Sequence, residues 1–167
     1  VVHGHEPTLS QMIVAASQDP EIIEYAHQAG AKGVNLSGIC CTANEILMRQ
    51  GIPAAGNFLH QELSILTGSV EAMIVDVQCI MQALVSLAER FHTKIITTSP
   101  KVKLKGATHI EFDEHKALTV AKNILKVAID NFKNRGEVQI PEDRENLIPG
   151  FSHEYINYML GGSYRAS

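Results

Sequence analysis

Short apolar runs alternate with stretches in which apolar residues recur every three or four positions, and this alternation sets the expected order of elements. Residues 1–5 read as a first strand. Glu6-Pro7 leads from it into a helix capped by Thr8 or Ser10, with Leu9, Met12, Ile13 and Ala16 on its apolar face. Asp19-Pro20-Glu21 predicts a second helix, because Asp19 suits the N-cap, Pro20 the first turn, and Glu21 and Glu24 the positive end of the dipole. Gly30 ends it. Residues 33–36 read as the next strand, broken by Gly38, and 42–48 as a helix that stops at Gly51-Ile52-Pro53. A further helix over about 57–66 precedes the turn Thr67-Gly68-Ser69.

The run 72–77 (AMIVDV) is nearly continuous in apolar residues and fits a strand buried on both faces. Residues 80–91 return to helical spacing through Leu84, Leu87, Ala88 and Phe91, and 94–98 are β-rich again. The longest helix is expected at 114–133, where Ala117, Ala121, Ile124, Leu125, Ala128 and Phe132 form one stripe. A polar connector over 134–149 carries Pro141 and Pro149, and 152–160 read as a short helix ending at Gly161-Gly162. Repeated strand–helix alternation predicts an α/β, Rossmann-like fold: a mainly parallel sheet with helices on both faces. Residues 1–136 are expected to form that domain, and 137–167 a connector and the start of a following one.

The chain has 167 residues, 45% of them hydrophobic and 19% charged, proportions of a folded globular protein rather than a disordered one. A net charge of −4 without blocks of like charge gives no footprint for nucleic acid or an anionic membrane surface. Apolar runs fall far short of the roughly 20 residues of a membrane span, and the N-terminus lacks the basic segment and apolar run of a secretory signal. The chain opens on Val1-Val2 rather than Met and closes on Tyr164-Arg165-Ala166-Ser167, so excision from a longer polypeptide is expected. Three cysteines, two of them adjacent, do not make a disulfide framework; free or metal-bound thiols in the cytoplasm are expected. Neither GxGxxG nor GxxxxGK[ST] occurs.

The candidate chemistry gathers at expected strand ends. His3 and His5 close the first strand, Cys40 and Cys41 follow the second, and Cys79 follows the third, and parallel sheets assemble their sites at that edge. Taken singly, each thiol fits a small buried hydrophobe and each imidazole a solvated or hydrogen-bonded residue. Taken together they also fit a metal site, since thiolate and imidazole both ligate iron and nickel, and the residues alone leave that choice open. His27, His60, His109 and His115 are expected to be solvated and His92 to cap a strand. Asp76, inside an apolar strand, requires a partner such as Asn44 or a backbone amide. Lys101, Lys103 and Lys105 fit a solvated loop.

Three segments narrow the choice. Val2-His3-Gly4-His5-Glu6-Pro7, Gly38-Ile39-Cys40-Cys41-Thr42-Ala43-Asn44-Glu45 and Val75-Asp76-Val77-Gln78-Cys79-Ile80-Met81 resemble, in this order, those of nickel-dependent anaerobic carbon monoxide dehydrogenases. Gly150-Phe151-Ser152 and Leu160-Gly161-Gly162-Ser163 extend the resemblance nearly end to end. It implies the central Rossmann-like domain of the catalytic subunit and a nickel–iron–sulfur cluster that interconverts carbon monoxide and water with carbon dioxide, electrons and protons. By the same resemblance His5 and Cys41 would bind the outlying iron, Cys79 an iron of the cluster frame, and Cys40 would be an alternate, non-standing ligand. As a ligand, His5 should hydrogen-bond its other ring nitrogen to the Glu6 region or a backbone carbonyl. The family's remaining cluster cysteines, its proton-handling histidine and lysine, and the cysteines of its 4Fe-4S clusters would fall outside this stretch. No catalytic acid or base is therefore expected here, and the stretch alone is expected to be inactive. The implied partners are carbon monoxide and carbon dioxide, the remainder of the same polypeptide, a second copy in a homodimer, and a redox protein such as ferredoxin. Gln82 stands where many relatives carry proline. An autonomous metal-binding domain, or a hybrid iron–sulfur cluster domain, is the alternative.

Overall fold

The computed structural model describes residues 1–78, 80–142, 154, 157 and 158, with the backbone alone at 42–44. Its centre is a sheet of six parallel strands in the order β3-β2-β1-β4-β5-β6. These are β1 (Val2–His3), β2 (Gly38–Ile39), β3 (Ala54–Gly56), β4 (Ala72–Val75), β5 (Lys94–Thr97) and β6 (Thr108–His109). The two halves of the sheet run outward from the β1/β4 junction, so the turns leaving β1 and β4 part there and open a crevice at the carboxyl edge.

Period-two alternation puts helices on both faces. Ala72 and Ile74 of β4 and Ile96 of β5 join one core with Leu9, Ile13, Ile22, Leu47, Ala121 and Ile124. Those residues bring α1 (Pro7–Ser17), α2 (Pro20–Gln28), α3 (Cys41–Arg49) and α6 (Ala117–Asn131) to that face. Met73, Val75 and Ile95 point the other way and bury with Ile65, Leu84 and Val85 of α4 (Gln61–Leu66) and α5 (Ala83–Ala88). The doubly wound architecture expected from the alternation of elements is the one observed. No helix among the described residues is long and apolar enough to cross a membrane.

Several elements differ from the sequence reading, each for a local reason. Residues 33–36 are not a strand; β2 begins at Gly38, whose N–H donates to Pro53 O at 3.2 Å, because pairing with β1 and β3 rather than β-propensity selects the segment. The short edge strands β3 and β6 carry too little pattern to be expected. Glu6, not Thr8 or Ser10, caps α1: its carboxylate accepts from Thr8 N at 3.1 Å, while Ser10 is buried. Asp19 caps α2 as expected, accepting from Glu21 N at 2.9 Å ahead of Pro20. The helix expected at 57–66 splits into a 3-10 turn (Phe58–His60), capped by Asn57, and α4. The one expected at 80–91 is confined to α5. The helix expected at 152–160 lies outside the described residues apart from 154, 157 and 158.

The amino end of the sheet is closed by polar contacts. Asn131 is buried at the end of α6 and donates through Nδ2 to Glu71 O (2.8 Å) and to His92 O, just ahead of β4 and β5. Arg135 donates to Glu71 Oε1 (2.6 Å), and His92, rather than capping a strand, sets Nε2 3.2 Å from the same oxygen. Beyond α6 the chain stays on the domain, with Gln139 N donating to Thr67 O at 2.9 Å. On the surface, Glu21 of α2 takes Lys126 (2.6 Å) and Lys122 (3.0 Å) of α6.

Asn131→Leu, which removes both bonds and leaves buried carbonyls unpaired, is expected to cost about 2–3 kcal/mol in urea unfolding. The hydrogen bonds from Lys126 and Lys122 pull the Glu21 carboxyl down from an ordinary 4.5 to about 2. Since the folded value is the depressed one, the contribution of this cluster to stability is complete above the unfolded value and fades as pH falls toward 2. NMR titration of the Glu21 carboxyl should place its midpoint near 2 at low salt, moving upward as salt screens the exposed pairs.

Candidate metal centre

The crevice at the β1/β4 junction is organised by Asp76, the residue after β4. It is 2% exposed, and its carboxylate accepts His5 N at 2.8 Å, Glu6 N at 2.8 Å and Val77 N. Of the expected partners, backbone amides are the ones found. The contact ties the turn leaving β1 to the turn leaving β4. It also explains Gly4: at φ +146° this position disfavours side chains, and a Cβ there would overlap the Asp76 carboxylate.

Held by that clamp, half-buried His5 sets its Nδ1 3.1 Å from Val77 O. A carbonyl only accepts, so Nδ1 carries a hydrogen, and in the neutral ring Nε2 keeps its lone pair. A fixed tautomer, with one nitrogen tied to a backbone carbonyl, is the arrangement of metal-binding histidines.

Past the end of β2, which neighbours β1, stand the adjacent cysteines. Cys41 is exposed and opens α3. Cys40 is buried, with Sγ 3.4 Å from Nε2 of the fully buried His3. Cys79 lies outside the described residues, but the turn that leads to it leaves β4 on the other side of β1. Among the described residues Cys40 (φ 69°) and Gln78 (φ 63°) are the non-glycine residues with positive φ, and each directly precedes a candidate ligand cysteine. Strain of this kind collects where the chain is held in place for function.

The residues present thus fit a donor set of one imidazole and thiolates. Among the described residues no three His, Cys, Asp or Glu side chains gather into a metal site. The other expectations divide. His27, His60 and His115 are exposed, as are Lys101, Lys103 and Lys105. His109 is not solvated: at the end of β6 it is half-buried, with Nδ1 2.9 Å from Thr97 Oγ1. The Gly4–Asp76 clamp and the His3–Cys40 contact were not anticipated; a glycine between two strand-end histidines and an acid ending an apolar strand were the available signals.

Residues 1–162 match the Prismane/CO dehydrogenase family, and the chain belongs to that family. It is 54% identical over 165 residues to carbon monoxide dehydrogenase 1 of Methanosarcina mazei, covering 98% of this chain and 26% of that protein. To the carbon monoxide dehydrogenase/acetyl-CoA synthase subunit beta of Moorella thermoacetica it is 48% identical, covering 96% and 24%. The as-isolated, nickel-free structure of carbon monoxide dehydrogenase from Thermococcus sp. AM4 superposes with a TM-score of 0.83 at 53% identity, over 96% of this chain and 26% of that one. The chain therefore spans about a quarter of the length of these relatives.

Gly4→Ala is expected to lose at least ~2 kcal/mol, from positive φ and the clash with the carboxylate. Asp76→Ala is expected to lose about 3 kcal/mol, from the stranded amides. Because both undo one contact, the double variant should fall well short of the sum, a coupling readable in a urea double-mutant cycle.

Proposed function

We propose that this chain is the central domain of a nickel-dependent carbon monoxide dehydrogenase and that His5, Cys41 and Cys79 are protein ligands of its nickel–iron–sulfur cluster. The observation that carries the reading is the His5 ring, fixed through Nδ1 on Val77 O with Nε2 left as a donor at the switch point of the sheet. Family membership supports it, and about 50% identity to carbon monoxide dehydrogenases favours it over a hybrid-cluster or autonomous metal-binding domain.

The reaction of the whole enzyme is carbon monoxide plus water to carbon dioxide, two electrons and two protons, in either direction. When bound, the cluster supplies metal ions that acidify water, bind the one-carbon substrate and take up electrons. The residues of this chain hold it. His5 acts as a ligand through Nε2, with its proton-bearing nitrogen committed to a backbone carbonyl. Cys41 offers an exposed sulfur donor at a helix start, and Asp76 fixes the turn that carries His5. The remaining ligands, the proton-handling groups and the 4Fe-4S clusters belong to the rest of the enzyme. That enzyme works as a cytoplasmic homodimer and passes its electrons to a partner such as ferredoxin. The 167-residue chain by itself is inactive.

In a full-length enzyme carrying this sequence, His5→Ala and Cys41→Ala should each lower both cluster iron occupancy and dye-linked carbon monoxide oxidation, the latter more than about 100-fold. The isolated chain should reduce no dye with carbon monoxide. Wild-type iron content and turnover in His5→Ala would remove the ligand assignment, and turnover by the isolated chain would remove the partial-site reading.

A further inference from the structure

Residues 58–66 run from the 3-10 turn (Phe58–His60) into α4, and their apolar pattern is inverted. Gln61 and Ile65 are buried, Ile65 in one core with Met73, Val75 and Ile95. Phe58, Leu59, Leu63 and Leu66 face outward and are 40%, 72%, 56% and 45% exposed. On α2, by contrast, Ile22 and Ala26 are buried while Glu21, Glu24, His27 and Gln28 meet water. A helical segment with core on one side and leucines on the other is apolar all round, the mark of an element packed between two layers. The four outward side chains together expose on the order of 400 Å², the size of patches that serve as binding surfaces. Beside them lies an open groove of about 270 Å³, lined by Leu66 of α4 and Ala83 and Leu87 of α5, together with Glu62 and Arg90. Neither of these two charged groups forms an ion pair among the described residues.

Area selects the occupant. A stable complex of separate chains buries about 800 Å² on each partner, and this patch is roughly half of that. A segment of the same polypeptide needs less, because its tether holds it at an effective concentration on the order of millimolar. The relatives carry about three quarters of their length outside the region matched by this chain. Leu59, Leu63 and Leu66 follow the i, i+4, i+7 spacing of a ridge that seats a second helix.

We propose that this face is an internal domain interface, covered by an amphipathic helix of the same polypeptide from outside residues 1–167. That helix lays its apolar side on Phe58, Leu59, Leu63 and Leu66 and sets an apolar side chain in the groove beside Glu62 and Arg90. The inference rests on the chain being one domain of a longer enzyme, and on none of the cluster ligands.

The test uses a full-length enzyme carrying this sequence, with the photocrosslinker benzoylphenylalanine in place of Leu59. After irradiation, a denaturing gel reads the mass of the product and peptide mass spectrometry reads the residues joined. The expected product has the mass of one chain and joins position 59 to an apolar helix outside residues 1–167. Leu63→Asp places a charge in that contact while changing a side chain that this domain leaves exposed, and should lower the yield about tenfold or more. Leu63→Ala should lower it severalfold, which keeps the test open if the aspartate variant does not fold. A product at twice the chain mass overturns the proposal in favour of a second copy, and a product with another protein overturns it in favour of a separate partner. A cross-link confined to residues 1–167 overturns it too. So does the absence of any cross-link, because the face is then open to water. The readout needs no bound cluster, so failure of the ligand assignment and failure of this interface are told apart.

Discussion

A carboxylate buried at the end of β4 is the contact on which the candidate site depends. Asp76 has left water, and the N–H groups of His5, Glu6 and Val77 stand in for the solvent it lost. The donors come from two turns that would otherwise part, since β1 and β4 adjoin at the point where the sheet's winding reverses. One side chain therefore joins the halves of the crevice. The position of His5, the start of α1 at the Glu6 cap and the departure of the turn toward Cys79 follow from the same contact. The absence of a side chain at Gly4 is what lets the carboxylate come so close.

The two ends of the sheet are built for different purposes. At the amino end, Asn131, Arg135, His92 and Glu71 pair with one another and with backbone carbonyls, closing the end and fixing α6 against β4 and β5. At the carboxyl end the polar groups hold the turns that carry His5 and Val77, with Cys41 exposed at the start of α3. A parallel sheet makes this division natural, because every strand delivers its following turn to the same edge.

Fold alone would not define the function, since doubly wound sheets serve many chemistries. Family membership and local geometry bear on it independently. The family places the chain among relatives of which it spans about a quarter, and the geometry ties the His5 ring through Nδ1 to a backbone carbonyl at the switch point of the sheet.

The sequence by itself determined the larger elements, because their signals are local. The apolar runs of β4 and β5 mark strands buried on both faces, Asp19-Pro20 marks the start of α2, and the stripe through Ala121, Ile124 and Leu125 marks the core side of α6. It also marked the motifs at the strand ends and the resemblance they carry. Only the tertiary structure decided β2, β3 and β6, two or three residues each, which exist through hydrogen bonds to neighbouring strands and not through periodicity. The same holds for contacts between residues distant in the chain. His5 meets Val77 across 72 positions, Asp76 reaches His5 across 71, and His3 meets Cys40 across 37. Cys40 lies buried beside His3 of the neighbouring strand while Cys41 is exposed, and no pattern along a single strand records that.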